Sequence, residues 1–141
     1  MQKILIFFFV VVTIGFGCEK ASFKDAALLN TKWELSSIQD TKTNLTTNVP
    51  NTIQQEFIFF SDTSNILMVA GACNGCRGSY LMLSNDSIKI TNLTCTCRDC
   101  TNDLWEKYFF ENLNSVFKFK ITGNHMKIYS TETYNLNFTA E

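Results

Sequence analysis

The chain has 141 residues, 12 Lys and Arg against 13 Asp and Glu, and a formal net charge of −1. That length suits one domain. The balance is near neutral, with no basic face to suggest nucleic acid as a partner and no polybasic cluster to suggest electrostatic capture by anionic lipid.

Residues 1–17 read as a signal peptide of the lipoprotein type. Lys3 precedes an apolar run from Ile4 to Phe16. The run is shorter than the about 20 residues of a spanning helix, and it has the length of a secretory apolar region behind a positive flank. Gly17-Cys18 follows, a small residue before the one cysteine outside Cys73–Cys100. This resembles the cleavage box of bacterial lipoproteins. The resemblance implies a diacylglyceryl group on Cys18, membrane attachment through it, and residence in the bacterial cell envelope at the outer membrane. Gly15 and Phe16 depart from the usual box, which favours Leu or Val and a small residue there.

Residues 18–30 read as a lipid-anchored tether with a helical tendency over Phe23–Leu29, and residues 31–141 as the folded domain. Lys32–Ile38 alternates with period two, placing Trp33 and Leu35 on one face of a half-buried strand. Asp40–Asn51 is rich in Thr and Asn, carries Pro50 and lacks periodicity, so it reads as a loop. Strands are predicted over Ile53–Phe60, Ile66–Ala72, Ser79–Leu83 and Ser87–Leu93. The short Asn85-Asp86 turn joins the last two as an antiparallel hairpin. Gly71–Tyr80 concentrates glycine and cysteine and reads as a strand-to-strand corner.

A helix is predicted over residues 103–114. Leu104, Trp105, Tyr108, Phe109 and Leu113 form its apolar stripe, while Glu106, Lys107 and Glu111 form the charged opposite face. Asp103 with Glu106 reads as its N-terminal cap. Alternating segments at Val116–Ile121, Met126–Tyr129 and Tyr134–Phe138 complete the chain. Seven or eight short strands with one helix inserted between strands five and six predict an α+β, mostly β, antiparallel domain.

These residues resemble the META domain family, which includes heat-inducible envelope proteins and lipoproteins of Gram-negative bacteria. The specific part is Gly71, Cys73, Asn74, Gly78 and Tyr80 at Gly-x-Cys-Asn-x3-Gly-x-Tyr spacing. Trp33-Glu34-Leu35, Ile88-x-Ile90, Thr96, Cys100, Trp105-Glu106, Tyr108, Leu113 and Gly123-Asn124 support it. Coverage runs from about Thr31 to Phe138. The resemblance implies a barrel-like antiparallel sheet with one packed helix, no agreed biochemical activity, and a cysteine pair at Cys73 and Cys100. Cys76, Cys95 and Cys97 are additional to that pattern.

Two readings of the cysteines stay open. Cys73-x2-Cys76 and Cys97-x2-Cys100 match the spacing of a four-thiolate zinc site. In an exported chain, however, Cys73, Cys76, Cys95, Cys97 and Cys100 are disulfide candidates first. The hairpin brings Cys76 back opposite Cys95 or Cys97, and Cys73 opposite Cys100. Being odd in number, the five leave one unpaired. A thiol-redox protein built on the Cys73–Cys100 region is a further alternative, as is a barrel that binds a small ligand in its interior.

No catalytic set emerges. His125 is the only histidine and lies beside a turn, and a nucleophilic cysteine normally needs a histidine partner. The carboxylates occur singly. The expectation is a non-enzymatic envelope lipoprotein with a binding or stress-maintenance role and no cofactor.

Overall fold

The structure is a computed structural model and describes residues 25–50, 56–96, 98 and 104–141. Its strands are β1 (Lys32–Asp40), β2 (Thr46–Asn48), β3 (Phe57–Phe60), β4 (Ile66–Ala70), β5 (Gly75–Met82), β6 (Ile88–Cys95), β7 (Val116–Thr122), β8 (His125–Ser130) and β9 (Tyr134–Ala140). One helix, α1 (Leu104–Leu113), lies between β6 and β7.

All strand pairs are antiparallel, in the order β6-β5-β4-β3-β1-β9-β8-β7, with β2 added to β1. The sheet curls into a half-barrel. At one end its two edges approach each other: Ser87 bridges to Lys118, and the Phe119 N–H donates to the Asp86 carbonyl at 2.9 Å. This is the expected α+β, mostly β architecture. The helix follows the sixth strand and not the fifth, because Thr46–Asn48 forms a short strand inside the segment read as loop. All three residues are exposed, so no apolar alternation marks them.

Period-two alternation puts one set of side chains inside the curl. Trp33, Leu35, Ile58, Phe60, Leu67, Ile88, Phe119, Met126, Ile128, Leu136 and Phe138 are buried there, and Phe109 and Leu113 of α1 cover them. Phe109 packs on Phe138 with centroids 6.0 Å apart. A bulge between Leu35 and Ser37 interrupts the alternation, so that Ser37 and Ile38 are both buried. Leu28, in the segment read as tether, is fully buried, and its carbonyl accepts the Trp33 indole N–H at 3.2 Å.

Two expectations for local structure need correction. The corner read over Gly71–Tyr80 is confined to Gly71–Asn74, and β5 already begins at Gly75. On α1, Glu106 is buried and Leu104 is 58% exposed. The inward face is therefore turned toward Glu106, Phe109, Asn112 and Leu113, and Glu106 is not part of the solvent face. Asp103, read as the cap, lies outside the described residues.

Candidate functional site

The Gly71–Tyr80 stretch sits where the β4–β5 corner meets the start of α1. The Glu106 side chain reaches from the first turn of the helix into this corner. Its Oε2 accepts the backbone N–H groups of Cys73 at 2.7 Å and Asn74 at 3.0 Å, and its Oε1 accepts from Asn74 Nδ2 at 2.8 Å. A buried carboxylate must be matched by donors, and here a tight corner supplies them. The corner itself is closed by the Gly71 N–H donating to the Asn74 carbonyl at 2.7 Å.

Gly71 has a steric reason. A Cβ there would overlap Glu106 Cγ and Cδ, both at 2.8 Å, so the carboxylate occupies the space a side chain would need. Gly78 sits at a second close approach. A Cβ at that position would lie 3.0 Å from the Thr91 carbonyl oxygen and 3.2 Å from Leu93 Cα. The crowding comes from a bulge between Arg77 and Ser79, opposite which Asn92 takes a φ of 54°.

Asn74 joins three segments. Its Nδ2 donates to Glu106 and, at 3.3 Å, to the Arg98 carbonyl. Its Oδ1 accepts from Thr96 Oγ1 at 3.0 Å and from the Arg98 N–H at 2.8 Å. Thr96 in turn accepts the Gly75 N–H on Oγ1 at 3.1 Å and donates its own N–H to the Gly75 carbonyl at 2.9 Å. Tyr80 closes the stretch from inside the sheet. Its ring packs edge-on against Phe60 at 5.2 Å, and its hydroxyl donates to the Ser61 carbonyl at 2.7 Å. Burial raises its pKa, with Asp62 adding to the effect.

The β5–β6 register sets Cys76 directly opposite Cys95, and the two form a disulfide with Cα atoms 4.0 Å apart. Cys73 is disulfide-bonded as well. Cys18, Cys97 and Cys100 lie outside the described residues. With Cys73 and Cys76 both oxidised, the four-thiolate zinc set is not the state of this structure. No group of three or more metal-ligating side chains occurs among the described residues. His125 stands exposed at the start of β8, on a different part of the sheet from the cysteines.

Chemically, the corner is a clamp. The carboxylate that approaches it is engaged on both oxygens by amide donors, and the Asn74 amide is engaged on both its nitrogen and its oxygen. Two contributors escaped the sequence reading. Glu106 reads as solvent-facing beside Lys107, whereas the space left by Gly71 takes its carboxylate. Asn112 is 2% exposed, and its Oδ1 accepts the Tyr134 N–H at 3.0 Å, tying the end of α1 to β9.

The META domain family model matches residues 26–141. Among solved structures, the chain is similar to the NMR structure of a protein from Burkholderia xenovorans, with a TM-score of 0.64 and 17% identity over 81% of this chain and 83% of that one. It is also similar to the crystal structure of a DUF4847 family protein from Bacteroides vulgatus ATCC 8482, with a TM-score of 0.60 and 12% identity over 79% and 93% of the two chains. At these identities the likeness is one of fold. No curated protein matches the chain.

Proposed function

The chain belongs to the META domain family, and from that premise we propose a non-enzymatic binding or maintenance protein of the bacterial cell envelope, anchored by lipid on Cys18. The observation that carries the non-enzymatic reading is the commitment of the motif's polar groups. Both Glu106 oxygens and both ends of the Asn74 amide are taken up by the corner itself. A general acid or base needs a free, correctly aimed group, and this carboxylate holds two segments together instead. The inside of the curl is lined by large apolar side chains, Trp33, Phe60, Phe119 and Phe138 among them. That supports a protein acting through its outer surface, not one carrying a ligand within.

Two features support the envelope. The apolar run Ile4–Phe16 ends on Gly17-Cys18, as an export signal followed by an acylated cysteine would. The disulfides at Cys76–Cys95 and Cys73 belong in an oxidising compartment. Metabolic labelling with a palmitate analogue, on the native chain and on Cys18→Ala, tests the anchor. Label that follows the native chain into the membrane fraction and vanishes in the variant is the expected outcome. Persistent labelling of Cys18→Ala removes the lipoprotein reading.

A further inference from the structure

On the outer face of the sheet, the β7–β8 register sets Lys120 directly opposite Lys127. Like charges facing each other across an antiparallel pair destabilise it, so this placement calls for a counter-charge. Among the described residues no carboxylate supplies it. The ion pairs among the described residues join Lys32 to Glu34 and Glu141, Lys107 to Glu111, and Lys118 to Asp86, and neither Lys120 nor Lys127 takes part. Asp25 and Asp86 border an adjoining hollow with Lys118 and Lys120, but of these only Asp86 and Lys118 meet, at 2.9 Å.

The Lys127 ammonium donates to Gln39 Oε1, a neutral group on β1. Since β9 lies between β8 and β1, the side chain leans across β9 and away from Lys120. A groove of about 430 Å³ opens at this place, bordered by Lys120, Thr122, His125, Lys127, Tyr129 and Asn137, with no carboxylate among its described lining residues. Two ammonium groups, two hydroxyls, an imidazole and a side-chain amide form a polar concavity on a chain whose net charge is −1.

We propose that this groove binds a phosphate-type oxyanion between Lys120 and Lys127. The anion supplies the counter-charge the opposed lysines lack, and the surrounding polar groups offer hydrogen bonds of the charge-assisted kind. A phosphate monoester can come from a free metabolite or from a lipid headgroup, and the chemistry of the groove is the same for both. The site belongs to the folded domain and does not depend on the lipid anchor.

The test is a titration of the isotope-labelled protein with glycerol 3-phosphate at low ionic strength, followed by amide shifts. Saturable shifts at β7, β8 and β9 are expected. Lys120→Gln and Lys127→Gln should each weaken binding by at least about fivefold, while Lys89→Gln, on β6 and outside the groove lining, leaves it unchanged. Both lysine variants are surface changes, and unaltered melting temperatures would show that they fold. A lack of saturable shifts, or an equal loss in Lys89→Gln, would overturn the site. Phosphatidic acid vesicles, whose headgroup is a phosphate monoester, competing with the soluble ester would identify a headgroup as the ligand. Competition by free phosphate esters but not by vesicles would identify a soluble one.

Discussion

Glu106 Oε2 accepts the backbone N–H groups of both Cys73 and Asn74, at 2.7 Å and 3.0 Å, from a position 33 and 32 residues farther along the chain. This links the first turn of α1 to the β4–β5 corner. Removing the carboxylate takes this acceptor from three corner donors, the Cys73 and Asn74 N–H groups and Asn74 Nδ2. Glu106→Ala is expected to cost about 3 kcal/mol, at 1–3 kcal/mol per unmatched buried donor. In a domain of this size the melting temperature falls by roughly 10–15 °C. Glu106→Gln keeps the shape and one acceptor, and should cost about half as much. Thermal melts of both variants check the order.

Asn74 occupies the same junction, and its amide hydrogens are what make it compatible with Glu106 at 2.8 Å. Asn74→Asp replaces that donor with a second carboxylate. Two carboxylates at hydrogen-bonding distance cannot both ionise without repulsion. The variant should be much less stable than wild type at neutral pH and recover part of the loss in acid, where one proton can be shared. Denaturant midpoints at neutral and acidic pH measure the recovery, and an equal loss at both would be inconsistent with the clamp.

The Cys76–Cys95 disulfide closes a loop across a separation of 19 residues. In the chain-entropy model such a closure contributes about 3 kcal/mol. The Cys76→Ala/Cys95→Ala pair should lose about that much stability while keeping the β5–β6 register. Intact mass of the oxidised protein should rise by about four hydrogens on reduction, two for each of two bridges. A gain of about two would leave Cys73 without its disulfide.

At the half-barrel's closing end, the Lys118 ammonium at 2.9 Å and a hydrogen bond from Ser84 hold the Asp86 carboxyl below its ordinary 3.8. A carboxyl depressed in the folded state contributes stability above its unfolded value, and loses it as pH falls through the lower folded value. Asp86→Asn should therefore be less stable than wild type near neutrality, with the difference closing below pH 3.8. Both groups are largely exposed, so the effect is small and shrinks with salt. A difference that persists unchanged into strong acid would contradict this assignment.

Much of the fold was legible because period-two alternation is imposed by one buried face, as at Tyr134–Ala140; in β7 a bulge between Val116 and Lys118 interrupts it and leaves Phe117 exposed. Where no face is buried, as in Thr46–Asn48, the signal vanished. Gly75 and Gly78 suggested a corner at a place where the chain is already extended, because a glycine that admits a neighbouring backbone looks the same in sequence as one that turns. Glu106 was misplaced for a related reason. An acid beside Lys107 on an amphipathic helix reads as solvent-facing, and only the corner's amide donors, far away in sequence, reverse that. The Lys120–Lys127 juxtaposition was within reach: the Gly123-Asn124 turn pairs Thr122 with His125, which counts back to Lys120 opposite Lys127.

The central claim is that the Gly71–Tyr80 motif serves architecture, with Gly71 small because Glu106 fills its space. A double-mutant cycle between Gly71→Ala and Glu106→Ala measures this directly. Gly71→Ala alone should be strongly destabilising, since the new methyl displaces the carboxylate. In the Glu106→Ala background the same change should cost little, giving a coupling of about 1–3 kcal/mol, as expected for residues in contact. Additive losses, with no coupling between the two positions, would contradict the clamp.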